Sequence, residues 1–335
     1  MGFTRWPSDL TQQAVEDTLK FVELHGDVVS VMFIGGIPWP EALEGRPYSQ
    51  DVRNNFAYRP RGGKPIFLSI SPLSEDRSGL APYWGERDNQ PLPSPWNSYD
   101  FDHPNVKRAY TKFVLDALTA MKPTSLGLAI EANVLLSKNP GRWEKFKALY
   151  KSVYREVKLK HPELPVFFTT EVNHYLGRST GADPSIQKRE VTELMGHSDW
   201  FAMSLYPFMH LTPPDPYPRS YVAFARQFGK PIAISECGMT SQPVRLSSVG
   251  VTLDGSEAKQ VIFLREVFAQ AQQDRYKFVI QFASTDFDRL TARLPEPTRE
   301  LASIWQFTGI RRGDGTAKPA MRVWDDWLRR PLEVR

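Results

Sequence analysis

Eight short apolar runs, alternating along the chain with segments of helical period, constrain this sequence more than any other feature. They fall at residues 2–6, 28–34, 65–70, 125–131, 165–170, 200–206, 230–236 and 277–283. Each is too short for a buried helix and too apolar for a solvated loop, and several are bounded by Gly or Pro. They therefore read as fully buried strands. Between them, apolar residues recur three and four apart. Leu10, Ala14, Val15, Leu19, Phe21, Val22 and Leu24 do so until Gly26, with Ser8 or Asp9 placed to cap the helix. Further helices are predicted over about 106–121, 143–157, 185–195, 220–228, 256–271 with Ser256 as cap, 297–307 and 318–328, and a weaker one over about 41–56. Strand and helix repeated eight times, with no linker or second composition regime, predicts a single (β/α)8 TIM barrel spanning residues 1–335.

Composition is ordinary for a chain that buries a large core: 41% hydrophobic and 24% charged residues. The net charge of +4 is scattered through helices that also carry acids, so no basic stripe suggests a nucleic-acid partner. No apolar run is long enough to predict a membrane span. Cys237 is the only cysteine, which excludes an internal disulfide and a cysteine metal cluster. The six histidines show no chelating spacing, so the sequence suggests neither a metal nor another cofactor. Location is left open: secreted or periplasmic if a leader is trimmed, cytoplasmic otherwise.

One region breaks the rhythm. Residues 71–104, after the third strand, are rich in Pro, Asp and Ser yet carry Tyr83, Trp84, Trp96, Tyr99 and Phe101. A long loop with so many aromatics is expected to be ordered and functional.

In a barrel of this kind the C-terminal strand ends converge on one face, where the chemistry sits. Glu131 ends the fourth run and Glu236 the seventh, so two acids far apart in sequence are expected to face each other. Two carboxyl groups flanking a scissile bond are what glycoside hydrolysis requires, one protonating the leaving oxygen and the other attacking the anomeric carbon or activating water. Glu171 and Asn173 after the fifth run, and Asp286 and Asp288 after the eighth, reach the same face and can bind hydroxyls. Trp39, Trp84 and Trp96 lie in loops, where an indole either stacks on a sugar ring or packs within its own loop. His174 and His210 read as rim residues, and alternation turns the Cys237 thiol away from Glu236.

Pro231-Ile-Ala-Ile-Ser-Glu236-Cys-Gly238 resembles the nucleophile strand of the clan-A retaining glycoside hydrolases, (β/α)8 barrels, particularly as written in the endo-β-1,4-galactanase-like branch. Ser204-Leu-Tyr206-Pro207 resembles the strand-six segment whose tyrosine hydrogen-bonds the nucleophile. Residues 309–320 resemble the tail leading into the last helix. The resemblance implies Glu236 as nucleophile, Glu131 as acid/base, Tyr206 as the group orienting Glu236, and an oligo- or polysaccharide substrate with β-linkages. It also implies carboxylates within about 6 Å of each other, as retention requires. Two positions depart from the pattern. Ile130 stands where an Asn usually precedes the acid/base, with Asn133 the nearest amide, and Gln281-Phe282 replaces a tryptophan at the end of strand eight, so Asn133 and Gln281 are expected to contact the substrate in their place. The alternative from a different class is a non-catalytic barrel that binds a glycan or a protein partner through its aromatic rim loops.

Overall fold

The apolar runs form strands because each is shielded on both faces, so every side chain along it can be apolar. In the computed structural model, which describes residues 1–209 and 220–331, the strands are β1 (Gly2–Thr4), β2 (Val28–Phe33), β3 (Ile66–Ile70), β4 (Ser125–Ala129), β5 (Val166–Glu171), β6 (Phe201–Leu205) and β7 (Ile232–Cys237), followed by β8 (Val244–Leu246), β9 (Val251–Leu253) and β10 (Val279–Gln281). Eight of them close a barrel in the order β1-β10-β7-β6-β5-β4-β3-β2, while β8 and β9 form a separate antiparallel hairpin. With helices between successive strands, this is the (β/α)8 fold predicted above.

The chain divides into two compact units, residues 31–203 and residues 1–30 with 204–335. In the first, Phe33, Phe56, Trp84 and Phe113 form one aromatic cluster, and Phe67 stacks on Phe167 at 5.6 Å. Tyr110 is fully buried, with its hydroxyl 2.8 Å from the Ile70 carbonyl and 2.5 Å from that of Leu128, which ties the ends of β3 and β4 together. In the second unit Phe3 packs on Phe21 and Trp324, and the Trp324 indole donates to the His25 carbonyl at 2.7 Å.

Several boundaries differ from the sequence expectation for identifiable reasons. The first helix starts at Gln12, capped by the Thr11 hydroxyl that accepts from Ala14 N–H, whereas Asp9 is drawn into an ion pair with Arg293 at 2.6 Å. The weak segment near 41–56 is two helices, Trp39–Glu44 and Gln50–Ala57, because Gly45 takes a left-handed conformation (φ 68°) that ends the first. Between residues 297 and 307 only Thr298–Ser303 is α-helical. The hairpin and the helix Asp288–Arg293 have no clear periodic signal. Ser256 does cap its helix, accepting from Lys259 N–H. Among the described residues no helix is long and apolar enough to cross a membrane.

Candidate functional site

The two carboxylates singled out in the sequence lie in different units and are described in turn. Glu236 belongs to β7 and is 5% exposed, and its Oε2 accepts a hydrogen bond from the Tyr206 hydroxyl at 2.8 Å. Tyr206 follows β6 directly, and its ring lies so near the chain beyond Glu236 that a Cβ on Gly238 would sit 3.3 Å from Tyr206 Cε1. A phenol donor of this kind favours the ionised carboxylate and fixes its orientation. The strand is not regular here. Val279 of β10 pairs with Ile234 and Gln281 with Cys237, so two steps along β10 match three along β7, and the extra residue falls at Ser235–Glu236. Such a bulge re-aims a side chain at the point of chemistry. Burial pushes the neighbouring Cys237 thiol well above its usual range, with the Glu236 charge adding to the effect, so the thiol is inert at neutral pH.

The same unit also holds a buried polar knot. Lys318 donates to Asp286 at 2.6 Å, to the Ser241 hydroxyl at 2.7 Å and to the carbonyls of Gly309 and Phe307 at 2.8 and 3.3 Å. Asp286 also accepts from Gly309 N–H at 3.0 Å. Burial pushes the Asp286 carboxyl up to about 6, against the pull of Lys318, and the same burial lowers the lysine. Gln281 donates to the Thr308 carbonyl at 2.8 Å. Asp286 and Gln281, predicted to bind substrate, are thus buried and engaged with their own scaffold.

In the other unit Glu131 lies two residues beyond β4 rather than within the strand. It adopts a left-handed conformation, φ 50° and ψ 44°. Its N–H donates to the Thr169 hydroxyl on β5 at 2.7 Å, and its Oε2 pairs with Arg77 Nη2 at 3.0 Å. Here too the register shifts. Gly127 pairs with Phe167 and Ala129 with Phe168, which puts an extra residue on β4 at Leu128. Asn133 is fully buried. Its amide donates to the Glu171 carbonyl and to Gln187, while its oxygen accepts Glu171 N–H at 2.7 Å. The Glu171 carboxylate caps the turn that follows β5, accepting from Asn173 at 3.0 Å and from the N–H and Nδ1 of His174 at 2.6 Å. Asn133, Glu171 and Asn173 are therefore brought together, as a clamp between the ends of β4 and β5. His210 lies outside the described residues.

The loop tryptophans pack inward. Trp39 is fully buried, donates to the Ala81 carbonyl and stacks on Trp96 at 5.6 Å. Trp84 donates to Asp51 at 2.7 Å and meets Phe33 edge-on. They anchor residues 71–103 to the body of their unit, Trp84 through Phe33 and Phe113 and Trp96 through Trp39. Reasoning from sequence missed Arg77, the ion-pair partner of Glu131, and Lys318. Among the described residues no cluster of three or more His, Cys, Asp or Glu side chains is arranged to hold a metal ion.

Comparison with known proteins agrees with the fold. No family model matches the chain, and no curated protein matches it in sequence. Among solved structures, the GH5_18 protein from Streptomyces cattleya in complex with GlcNAc superposes with a TM-score of 0.64 at 15% identity, over 100% of this chain and 81% of that one. The GH53 catalytic domain from Ignisphaera aggregans gives 0.57 at 15%, covering 96% and 90%. The exo-β-1,4-mannosidase Op5Man5 from an Opitutaceae bacterium, strain TAV5, gives 0.65 at 15%, with 98% of this chain matching 58% of that protein. GH5 and GH53 glycoside hydrolases with (β/α)8 barrels are thus both among the structural neighbours.

Proposed function

We propose that the protein is a retaining glycoside hydrolase of β-linked glycans, with Glu236 as nucleophile, Glu131 as acid/base and Tyr206 as the residue that orients Glu236. The observation that carries this reading is the 2.8 Å hydrogen bond from Tyr206 to a nearly buried carboxylate at the bulged end of a barrel strand. A nucleophilic carboxylate has to be held ionised and aimed, and a phenol donor on a buried carboxylate does both. The three indoles on which a purely binding surface would rest are buried, which favours the enzyme over the alternative. Fold neighbours in both GH5 and GH53 support a glycosidase without selecting the galactanase-like branch.

In the mechanism, Glu236 attacks the anomeric carbon as Glu131 protonates the departing oxygen. Glu131 then deprotonates the water that releases the sugar from Glu236, with overall retention. The test is hydrolysis of a panel of activated aryl β-glycosides by wild type and Glu236→Gln, with the first-formed anomer read by NMR. Retained configuration and a variant that is folded but inactive are expected. A fully active Glu236→Gln, or an inverted product, would contradict the assignment.

A further inference from the structure

Five non-glycine residues among those described have positive φ. Lys122 and Arg275 terminate helices, where that conformation is routine, and Asn89 is of a type that tolerates it. The remaining two, Arg77 (φ 60°) and Glu131 (φ 50°), are ion-paired with each other. Two unfavourable backbone conformations converging on one contact mark it as a built feature, because the surrounding structure has to impose both.

Arg77 sits in a tightly bonded turn. Its N–H donates to the Ser74 carbonyl at 2.9 Å, the Ser74 N–H donates to the Gly79 carbonyl at 2.8 Å, and Asn139 holds the Ser78 carbonyl at 3.1 Å. Neighbouring acids are held elsewhere. Asp76 accepts from the hydroxyls of Ser74 and Ser78 at 2.6 and 2.7 Å, and Asp100 pairs with Lys145 at 2.8 Å. Within the guanidinium, Nη1 donates to the carbonyls of Ser74 and Glu75 and Nη2 to Glu131, but the buried Nε–H has no acceptor among the described residues. Nε and Nη2 form the edge that takes a carboxylate side-on through two parallel hydrogen bonds, and Glu131 fills half of it.

The same pair conflicts with the role assigned to Glu131. A general acid must carry a proton, and an ion pair with a guanidinium exists only while the carboxyl is ionised. On the glycosidase reading above, we propose that Arg77 exchanges Glu131 for the carboxylate of a uronic acid residue in the substrate, which makes the enzyme selective for acidic glycans. The incoming carboxylate takes the Nε/Nη2 edge. Glu131, released and now beside a second negative charge, takes a proton from solvent and passes it to the departing glycosidic oxygen as the bond from the anomeric carbon to Glu236 forms. The proton later removed from water returns Glu131 to its protonated form. That proton leaves to solvent when the acidic product departs and Arg77 pairs with Glu131 again.

The test compares kcat/KM for 4-nitrophenyl β-D-glucuronide and β-D-galacturonide with the matching glucoside and galactoside, in wild type, Arg77→Gln and Arg77→Lys. Wild type is expected to favour a uronide at least tenfold. Arg77→Gln should lower turnover of that uronide by about ten- to a hundredfold, the range for losing a charged hydrogen-bond pair, and should raise turnover of the neutral glycoside, since Glu131 is then no longer held ionised. Arg77→Lys keeps the charge without the fork and should fall between. A wild type that prefers neutral glycosides, or an Arg77→Gln that loses activity on both classes equally, overturns the proposal. If no aryl glycoside is cleaved, calorimetric binding of sodium glucuronate and sodium galacturonate decides separately. Binding that Arg77→Gln weakens supports the anion site even where the glycosidase reading has failed, and absence of binding to wild type removes it.

Discussion

Replacing Lys318 by Met tests whether the buried knot around Asp286 stabilises the fold. The lysine side chain is 1% exposed, and its ammonium reaches Asp286, the Ser241 hydroxyl and the carbonyls of Phe307 and Gly309. Methionine keeps most of the volume and removes the charge, so Asp286 keeps the Gly309 N–H at 3.0 Å but loses its ammonium partner. Breaking a buried pair from one side costs about 3–5 kcal/mol, because the surviving carboxylate either stays buried without compensation or has to take up a proton. An unfolding entropy of about 2.1 cal/mol/K per residue gives roughly 0.7 kcal/mol/K for a chain of this length, so the expected fall in Tm is about 4–7 °C. Replacing both partners, Lys318→Met with Asp286→Leu, removes the stranded charge and should return to within about 1 kcal/mol of wild type. Thermal unfolding followed by circular dichroism at pH 7 measures both. A single variant that shifts by less than about 2 °C, or a double variant no more stable than the single one, would refute the reasoning.

Three further outcomes follow from the same geometry. Tyr206→Phe deletes the donor to Glu236 while leaving the ring in place, so kcat/KM should fall by about ten- to a hundredfold with little change in Tm, measured on whichever aryl glycoside the wild type cleaves. Lys122→Gly and Arg275→Gly relieve left-handed strain at helix ends, and each should raise stability by about 0.5–1 kcal/mol in urea denaturation. For pH, the Asp286 carboxyl titrates at about 6 in the fold against 3.8 for an ordinary aspartate. A raised acid contributes stability that is present below the lower value and is lost as pH rises through the upper one. The stability of the Lys318→Met/Asp286→Leu variant relative to wild type should therefore climb between pH 4 and pH 6, by on the order of 3 kcal/mol.

What the sequence made legible, and what it hid, divides along a physical line. Strands shielded on both faces announce themselves as apolar runs, and an acid ending such a run stands out, so the barrel and Glu236 could be read directly, while Tyr206 stood out only through the resemblance of residues 204–207 to a known strand-six segment. Loop indoles could not be placed, because Trp39, Trp84 and Trp96 sit among Pro and Ser whether they stack on a ligand or on each other, and only the partners Ala81, Asp51 and Trp96 decide between these. Asn133 and Glu171 looked like ligand-binding groups for a similar reason, since a polar residue after a strand carries no mark of whether its bonds close within the protein. Arg77 gave no signal at all. It is one of 42 basic residues, and its distinction lies in a turn conformation and a contact to a residue 54 positions away.

The register shifts in β4 and β7 have a practical consequence for anyone moving this chemistry to another scaffold. Each candidate carboxylate lies at or just beyond a strand carrying one residue more than its hydrogen-bonded neighbour. Copying the motif residues onto regular strands would keep every letter but lose the extra residue, and a one-residue shift turns every following side chain to the other face. A transplant, or an alignment of relatives built strand by strand, has to carry that extra residue as part of the site.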